Sequence, residues 1–488
     1  MPSAGFWKSN VHKPLILTIL AILVVYALAT LLGYTEVALH AEEGHAEAHG
    51  QVAAVWAVIP FTLLLGAIAV LPLIEHTAHW WEHNLHKFYV AGILALLTLV
   101  YLGLLHPEGS LGRAAHTLQH VIIGEYIPFI VLLFSLYTIS GGIRISGDLP
   151  AHPATNLAFI AIGGLLASFI GTTGAAMLLI RPLLETNSER RHVAHTVVFF
   201  IFVVCNCGGL LLPIGDPPLF LGYLNGVDFL WTLSLWRSWL FVNGSLLAVY
   251  LAADSLYFYP NETKQDISRD ERLVRPLTFR GVWPNGLLLL GVILAVALLD
   301  PSKPLLGTDW HPWLYLREMV QLGLVGASLL IGAQVVRDDN SFDYIAIIEV
   351  AALFIGIFVA MQPALEILNA RGATLGIDTP QEFFWATGIL SSVLDNAPTY
   401  LVFFKTAQTL YTGDGSAIAG VAEPLLTAIS LGAVMMGAMT YIGNGPNFMV
   451  KTIAEKAGVK MPSFFGYVVY SIVILLPIFV INTFLFVG

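Results

Sequence analysis

The sequence predicts an all-α membrane protein that crosses the bilayer many times. Of its 488 residues, 57% are hydrophobic and only 11% are charged, and the mean hydropathy is +0.78. Soluble domains of ordinary composition do not approach these values. Apolar stretches long enough to cross a hydrocarbon core of about 30 Å recur along the whole chain. We therefore expect most of the protein to lie in lipid.

Eleven apolar stretches could each cross the membrane once. Two further stretches, near residues 156–184 and 382–406, are broken in the middle by residues that interrupt helices. We interpret these two as opposed re-entrant hairpins, which enter and leave on the same side. The predicted crossings are 15–34, 53–74, 88–105, 118–139, 195–221, 229–253, 282–299, 314–335, 344–361, 421–442 and 464–485.

The distribution of positive charge supports this topology with a cytoplasmic N-terminus. Of the 22 Lys and Arg residues, sixteen fall on the predicted inside, five fall outside, and Arg237 lies within a span. This is the asymmetry that the positive-inside rule requires, and a bacterial-type inner membrane is the expected location. The first span could equally be a signal peptide, with cleavage near Ala38-Leu39-His40-Ala41.

The two halves of the chain resemble each other, which predicts two inverted repeats. Glu125 and Glu349 stand 224 positions apart in apolar stretches, and the two hairpin breaks align at the same offset. Ile-Gly-Asp-Pro-Pro at 214–218 matches Ile-Gly-Asn-Gly-Pro at 442–446, at offset 228. Each repeat has five crossings and one hairpin, and an odd number of crossings inverts the second copy.

This organisation divides the chain into four segments. Residues 1–51 form the first span, or a signal peptide, followed by a His-rich outer segment. Residues 52–256 form the first repeat and residues 282–488 the second. Between them, residues 257–281 form a charged cytoplasmic linker.

Side-chain oxygens gather where the helices are interrupted. Helix ends at such breaks can bind ions, and hard oxygen ligands suit a small alkali cation. Buried carboxylates there should bind a cation, find a donor or take up a proton. The predicted ion- or substrate-binding residues are Thr172, Thr173, Asp216, Asp395, Asn396, Thr399, Asn444 and Asn447, with sodium expected at Asp216, Asp395, Asn396 and Asn444.

Several polar residues have a structural alternative to a functional role. Asp216 precedes two prolines and could simply cap the next helix, an alternative that is weaker for Asp395. Glu125 and Glu349 could relay protons or hydrogen-bond to a neighbouring helix. The two cysteines, Cys205 and Cys207, are interpreted as small packing residues, since their spacing fits no disulfide framework or metal motif.

The histidines fit a position at the membrane boundary better than a metal-binding site. Trp80 and Trp81 accompany the first group, and aromatic residues collect at such boundaries. The second group lies in the acidic outer segment and could at most sense pH or bind metal weakly. The first group is His76, His79, His83 and His86, and the second is His40, His45 and His49.

Inverted repeats around a polar site predict alternating access, and hence a secondary transporter. A site that holds either a sodium ion or protons, but not both, exchanges them as it alternates sides. The sequence contains no catalytic triad, zinc-protease motif, phosphate-binding glycine loop or cofactor motif. We therefore expect no enzyme activity, no cofactor and no nucleic-acid partner; the expected partners are small cations, protons and the lipid bilayer.

These motifs resemble those of the ion transporter superfamily, most closely the NhaD-type sodium/proton antiporters and the related citrate-transporter-like proteins. The resemblance implies about eleven transmembrane helices, two opposed hairpins, a homodimer assembled through a scaffold domain, and an elevator movement of a transport domain. It also places the binding site on the residues given above. The motifs are Ile-Gly-Asp-Pro-Pro (214–218), Leu-Asp-Asn-Ala-Pro-Thr (394–399), Ile-Gly-Asn-Gly-Pro-Asn (442–447) and Glu-Tyr-Ile-Pro-Phe (125–129).

The hairpin tips depart from the pattern of anion-carrying relatives. Relatives that carry dicarboxylates typically show Ser-Asn-Thr at the tips, whereas this chain has Gly-Thr-Thr-Gly and Asp-Asn-Ala-Pro-Thr. Asp395 would repel a carboxylate cargo unless it is protonated or screened by sodium. The sequence therefore favours sodium (or lithium)/proton antiport. Sodium- or proton-coupled citrate or dicarboxylate transport and arsenite-type anion transport remain open alternatives.

Overall fold

The computed structural model describes residues 12–36, 52–305, 307–411 and 417–487. The predicted His-rich segment, with His40, His45 and His49, and the alternative cleavage site lie outside these residues. The helices of the first half are α1 His12–Leu31, α2 Ile59–Val70, α3 Glu75–Trp81, α4 Asn84–Val100, α5 Leu111–His120, α6 Ile127–Ser140, α7 Pro153–Ile170, α8 Thr172–Thr186, α9 Ala194–Val204, α10 Pro217–Leu224 and α11 Trp236–Ala253.

The second half is also helical. The remaining helices are α12 Lys264–Arg272, α13 Val282–Leu298, α14 Leu316–Ile331, α15 Gln334–Asp339, α16 Ile345–Ala360, α17 Gln362–Arg371, α18 Pro380–Val393, α19 Asn396–Leu410, α20 Glu423–Met436, α21 Gly445–Lys456 and α22 Phe464–Phe486. Within the described residues, the strands are β1 Arg144–Asp148, β2 Arg275–Arg280, β3 Ala417–Ile418 and β4 Val421–Ala422, and β3 pairs antiparallel with β4.

Short 3₁₀ and π segments extend or join these helices. The π segments are Tyr101–Leu105, Val121–Tyr126 and Asp254–Phe258, and 3₁₀ segments include Cys207–Leu210 and Gly437–Met439. Because of these extensions, α5 and α6 form one continuous helical stretch over Leu111–Ser140. Glu125 lies in the π turn of that stretch.

The protein is an all-α polytopic membrane protein. Six helices of the described part of the chain are long and apolar enough to cross a bilayer, and a seventh span results if α16 and α17, bent by 42°, count as one. Apolar side chains such as Leu17 on α1 and Phe484 on α22 are exposed, which suits contact with lipid. The six are His12–Leu31, Asn84–Leu105, Leu111–Ser140, Pro153–Ile170, Trp231–Asn261 and Phe464–Phe486.

Two stretches predicted as single crossings are interrupted. Residues 195–221 divide into α9, a 3₁₀ turn and α10, and residues 421–442 end as α20 and a 3₁₀ turn before α21 begins. Proline lacks the N–H needed to continue a helix, and glycine disfavours it. The runs Gly215-Asp216-Pro217-Pro218 and Gly443-Asn444-Gly445-Pro446 therefore place non-helical backbone between two short helices in each half.

The described chain forms two compact units, and both predicted repeats contribute to each of them. In the first unit, α14 packs against α1, α6 and α13. In the second unit, α7 packs against α8 and α9, α18 packs against α20, and α19 packs against α10. The first unit comprises the described parts of 1–50, 126–145 and 278–351, and the second comprises those of 51–125, 146–277 and 352–488.

A buried polar chain joins the helices of the first unit. Arg337 donates to Ser328 Oγ at 2.6 Å, and Ser328 Oγ donates to Asn285 Oδ1 at 2.6 Å. Asn285 Nδ2 in turn donates to the carbonyl oxygen of Gly142 at 3.0 Å. Most buried polar groups in proteins are paired in this way, and these hydrogen bonds link α13, α14 and α15 to the end of α6.

A buried ion pair connects the loop after α8 to the end of α11 in the second unit. The Arg190 guanidinium donates to the two Asp254 carboxylate oxygens at 2.5 and 3.0 Å, and His195 Nε2 lies 3.0 Å from the same carboxylate. The Arg190 and Asp254 side chains are only 4% and 0% exposed. Removing one partner of such a pair leaves an uncompensated buried charge.

The linker is held against the same region through Glu262. Its carboxylate accepts the backbone N–H groups of Arg191 at 3.0 Å and His192 at 2.9 Å. Burial acts to raise the pKa of Glu262, but these two hydrogen bonds and the nearby Arg190 charge lower it below its ordinary value. The start of the predicted linker is therefore an ordered part of the second unit.

We predict that Asp254→Asn destabilises the protein far more than Asp266→Asn. Loss of the buried Asp254 charge should cost roughly 3 kcal/mol or more. The Asp266–Arg191 pair, at 3.1 Å with Arg191 65% exposed, should contribute at most about 1 kcal/mol. Thermal unfolding of the two purified variants in detergent measures the difference, and equal melting temperatures would contradict the structural role of Asp254.

Candidate functional site

Both predicted hairpin breaks are present. The first falls between α7 and α8 at Gly171, whose φ of +79° lies in the region that favours glycine. The second falls between α18 and α19 at Leu394 and Asp395, which have extended backbone. Each break places a helix N-terminus beside non-helical backbone. Whether the hairpins are re-entrant stays a prediction.

Asp216 does not cap the helix that follows it. The side chain makes no capping hydrogen bond to α10, although it directly precedes Pro217 and Pro218. Instead, Asp216 Oδ1 accepts from Thr172 Oγ1 at 2.9 Å and from Asn444 Nδ2 at 3.1 Å, and Oδ2 accepts from Asn396 Nδ2 at 2.6 Å. The structural alternative for Asp216 is therefore wrong, because its carboxylate is the centre of a buried network.

The donors around Asp216 come from repeat-equivalent positions. Thr172 and Asn396, which the 224-residue offset relates, bind opposite oxygens of the carboxylate. Asp216 and Asn444, which the 228-residue offset relates, contact each other directly. The site thus joins the two sequence repeats through one acidic side chain. The direction in which the repeats run relative to each other remains a prediction.

A second layer of amides holds the Asn444 donor in place. Asn444 Nδ2 also lies 3.0 Å from the Cys205 carbonyl oxygen and 3.3 Å from Asn206 Oδ1. Asn206 Nδ2 donates to Asn447 Oδ1 at 2.8 Å, and Asn447 Nδ2 donates to backbone carbonyl oxygens at 2.9 Å. Asn447 therefore supports the site without reaching the Asp216 carboxylate.

The sequence prediction missed Asn206, which is completely buried. It lies between Cys205 and Cys207 in an otherwise apolar stretch, and polar residues in such stretches are costly unless they have partners. That signal could have identified it. The two cysteines are buried and unpaired, in agreement with their interpretation as packing residues.

Asp395 and Thr399 make local hydrogen bonds. Asp395 Oδ1 accepts the backbone N–H of Ala397 at 3.1 Å and so caps α19. Thr399 Oγ1 donates to the Asp395 carbonyl oxygen at 2.9 Å. Asp395 is therefore a helix cap, the role first considered for Asp216, although its charge still acts on the Asp216 carboxylate. Thr173 is half-buried and is not among the Asp216 donors.

Four helix N-termini begin at the residues of this site. They are the starts of α8, α10, α19 and α21, and each carries a partial positive charge from its unpaired N–H groups. Thr172 N–H, at one of these starts, donates to the Gly215 carbonyl oxygen at 2.8 Å. The partial charges favour a negative group at the junction, and Asp216 supplies one.

Glu125 lies in the second unit and Glu349 in the first. Glu125 Oε2 is buried and has no hydrogen-bond partner, and the charge that acts on it is that of Lys405, also in the second unit. Glu349 is half-buried in the first unit. The hydrogen bonds to the Asp216 carboxylate come from other residues, and the proton-relay role of Glu125 and Glu349 stays a prediction.

The four histidines predicted to lie at the membrane boundary do not lie on one continuous helix. His76 and His79 belong to α3, His86 belongs to α4, and His83 has extended backbone between the two helices. The His86 ring stacks on Trp80 at 4.6 Å. Among the residues that the structure describes, these four form no group with metal-binding spacing.

Comparison with known proteins identifies one family. A family model described as "Putative citrate transport" matches residues 50–487, which is nearly the whole chain. The match includes both hairpins, both interrupted helices and every residue of the Asp216 network. A search of curated proteins returned no match.

We predict that Gly443→Ala damages this site whereas Gly445→Ala does not. A Cβ at Gly443 would lie 2.6 Å from the Gly437 carbonyl oxygen and 2.9 Å from that of Ser391, while a Cβ at Gly445 meets nothing within 4 Å. Overpacking of this kind costs about 1–3 kcal/mol and would displace Asn444. Thermal unfolding in detergent and a transport assay compare the two variants, and equal behaviour would refute the close packing at Gly443.

Proposed function

Because the chain belongs to the family described by the citrate-transport model, we propose that it is a secondary transporter whose cargo site is centred on Asp216. We propose further that this site exchanges sodium or lithium ions for protons. We also propose that, within its family, the protein is an NhaD-type antiporter. The family is one of transporters, so the proposal includes no catalytic step and no cofactor.

The arrangement around Asp216 supports a cationic cargo. Thr172, Asn396 and Asn444 already donate to this carboxylate. The negative charge that the helix N-termini favour is therefore supplied by the protein itself and not by a bound anion. Within the described residues, Asp216 and Asp395 form no ion pair with Lys or Arg. A buried carboxylate without a cationic side chain is complementary to a proton or a small cation.

Competition at one carboxylate supplies the coupling. A proton on Asp216 removes the charge that would bind a sodium ion, and a bound sodium ion disfavours the proton. Asn396 and Asn444 contact the Asp216 carboxylate through their amide nitrogens. We propose that their amide oxygens and the Asp395 carboxylate turn to a bound sodium ion, since oxygen ligands suit alkali cations. Each change of side then carries one cargo or the other, which is antiport.

The proposal retains an elevator-type movement and a homodimer, both implied by the family resemblance. Every residue of the Asp216 network belongs to the second unit, so that unit would carry the complete site and the first would act as the scaffold. We propose an inner-membrane location with a cytoplasmic N-terminus. Crosslinking between copies of the first unit in membranes would test the dimer.

We predict that Asp216→Asn abolishes cation/proton exchange and that Asp395→Asn reduces it less. Asparagine removes the titrating charge at Asp216, whereas at Asp395 it preserves the cap of α19, because Asn caps helices as well as Asp. The assay uses purified protein in liposomes that contain a pH-sensitive dye, with pulses of sodium, lithium or potassium. Asp309→Asn, at an exposed position, is the matched control. Full exchange by Asp216→Asn would overturn the site assignment.

Cation-coupled citrate transport is the second candidate function. Four helix N-termini at the site favour an anion, and the matching family model describes citrate transport. Because Asp216 and Asp395 repel a free tricarboxylate, citrate would have to enter together with sodium or as a metal complex.

We predict that cation pulses move protons in liposomes without citrate, and that labelled citrate does not accumulate. Antiport needs no anion, because Asp216 binds each cargo in turn. Parallel uptake assays with sodium or magnesium present measure citrate accumulation. The second candidate would be favoured if labelled citrate accumulated and if cation pulses moved no protons in the absence of citrate.

A further inference from the structure

Three carboxylates outside the cargo site converge in the second unit. Asp148 ends β1, Glu189 lies between α8 and α9, and Asp270 lies on α12 of the linker. One ligand oxygen from each lies within 4.8 Å of the others. These residues are far apart in sequence, so three separate segments of chain meet at this point.

Two of the three carboxylates are buried and incompletely paired. Asp148 is 5% exposed and Asp270 is 4% exposed, and Oδ1 of each is buried without a hydrogen-bond partner. The second oxygens are engaged, since Asp270 Oδ2 accepts the Ala151 N–H at 2.9 Å and Asp148 Oδ2 lies 3.6 Å from Arg275 Nη2. Buried acceptors of this kind normally have a partner.

Mutual repulsion makes the arrangement unfavourable unless a positive charge is present. Burial and the neighbouring Glu189 raise the pKa of Asp148, against the lowering effect of Arg275. Burial raises the pKa of Asp270, the Ala151 hydrogen bond opposes it, and Glu189 and Asp148 raise it further. Arg275 has a largely exposed side chain, so it offsets only part of the negative charge.

We propose that Asp148, Glu189 and Asp270 bind a divalent cation, such as Mn²⁺, Ca²⁺ or Mg²⁺. All three ligands are hard carboxylate oxygens, which these ions prefer. The two unpartnered Oδ1 atoms supply buried ligands, and the half-buried Glu189 supplies a third. Water completes the coordination shell, as is usual for Mg²⁺ and common for Ca²⁺.

The bound cation fastens the linker to the first hairpin. Asp270 belongs to the linker and already accepts the Ala151 N–H, two residues before α7 begins. Glu189 follows α8, the other arm of the same hairpin. A cation at this site therefore connects the linker to both arms, at the end opposite the break at Gly171. It contacts no residue of the Asp216 network.

Titration of the full-length protein in detergent with Mn²⁺ tests the proposal, after removal of metal with a chelator. Electron paramagnetic resonance measures free Mn²⁺, and we expect one tightly bound ion per chain and a higher melting temperature when it is present. Loss of a ligand in Asp148→Asn or Asp270→Asn should weaken binding by at least the roughly 10–100-fold that loss of an outer-shell partner costs.

Two control variants make the outcome specific. Glu271→Gln alters the exposed residue next to Asp270 and should bind Mn²⁺ as the unmodified protein does. Asp216→Asn should also retain Mn²⁺ binding, which separates this site from the cargo site. Equal Mn²⁺ affinity in Asp270→Asn and the unmodified protein would overturn the proposal. So would the absence of a tightly bound Mn²⁺ ion in the unmodified protein.

Discussion

The buried carboxylate of Asp216 is the constraint on which the rest of the site depends. A charged group in an apolar interior is tolerated only with close donors or a cation. Thr172, Asn396 and Asn444 provide the donors; they come from the two hairpin tips and one interrupted helix, and Asp216 itself lies in the other interrupted helix. The breaks in the helices are thus required by the acid between them.

Glycine and proline make this convergence possible. Four helices have to begin within a small volume, and their backbones have to approach closely. At Gly215 a Cβ would collide with the Gly209 carbonyl oxygen, and at Gly443 with that of Gly437. The pairs Gly209–Gly215 and Gly437–Gly443 are related by the same 228-residue offset, so the same close approach of two glycines occurs in both halves of the chain. The repeat in the sequence is therefore also a repeat of packing.

The sequence predicted the positions of the breaks well, because backbone chemistry sets them locally. Gly171 adopts a positive φ, and Pro217 lacks the N–H that would continue a preceding helix, so each favours a break at its own position. It predicted the partners of the two aspartates less well: Asp216 is the centre of the network, and Asp395 is the cap. Which carboxylate caps a helix depends on where its other possible partners lie in three dimensions, and local sequence does not set that. The pairing of Asn206 could not be predicted from local sequence, because its partner Asn447 lies 241 positions away.

The wide sequence separation of the Asp216 donors has a consequence for biosynthesis. Chains are made from the N-terminus, and Asp216 precedes Asn396 by 180 positions and Asn444 by 228. Until those residues are synthesised, only Thr172 of the three side-chain donors is available. A nascent chain that ends in the linker therefore presents a largely unpaired carboxyl group. The second half of the protein therefore supplies two of the three side-chain donors to Asp216, which was synthesised much earlier.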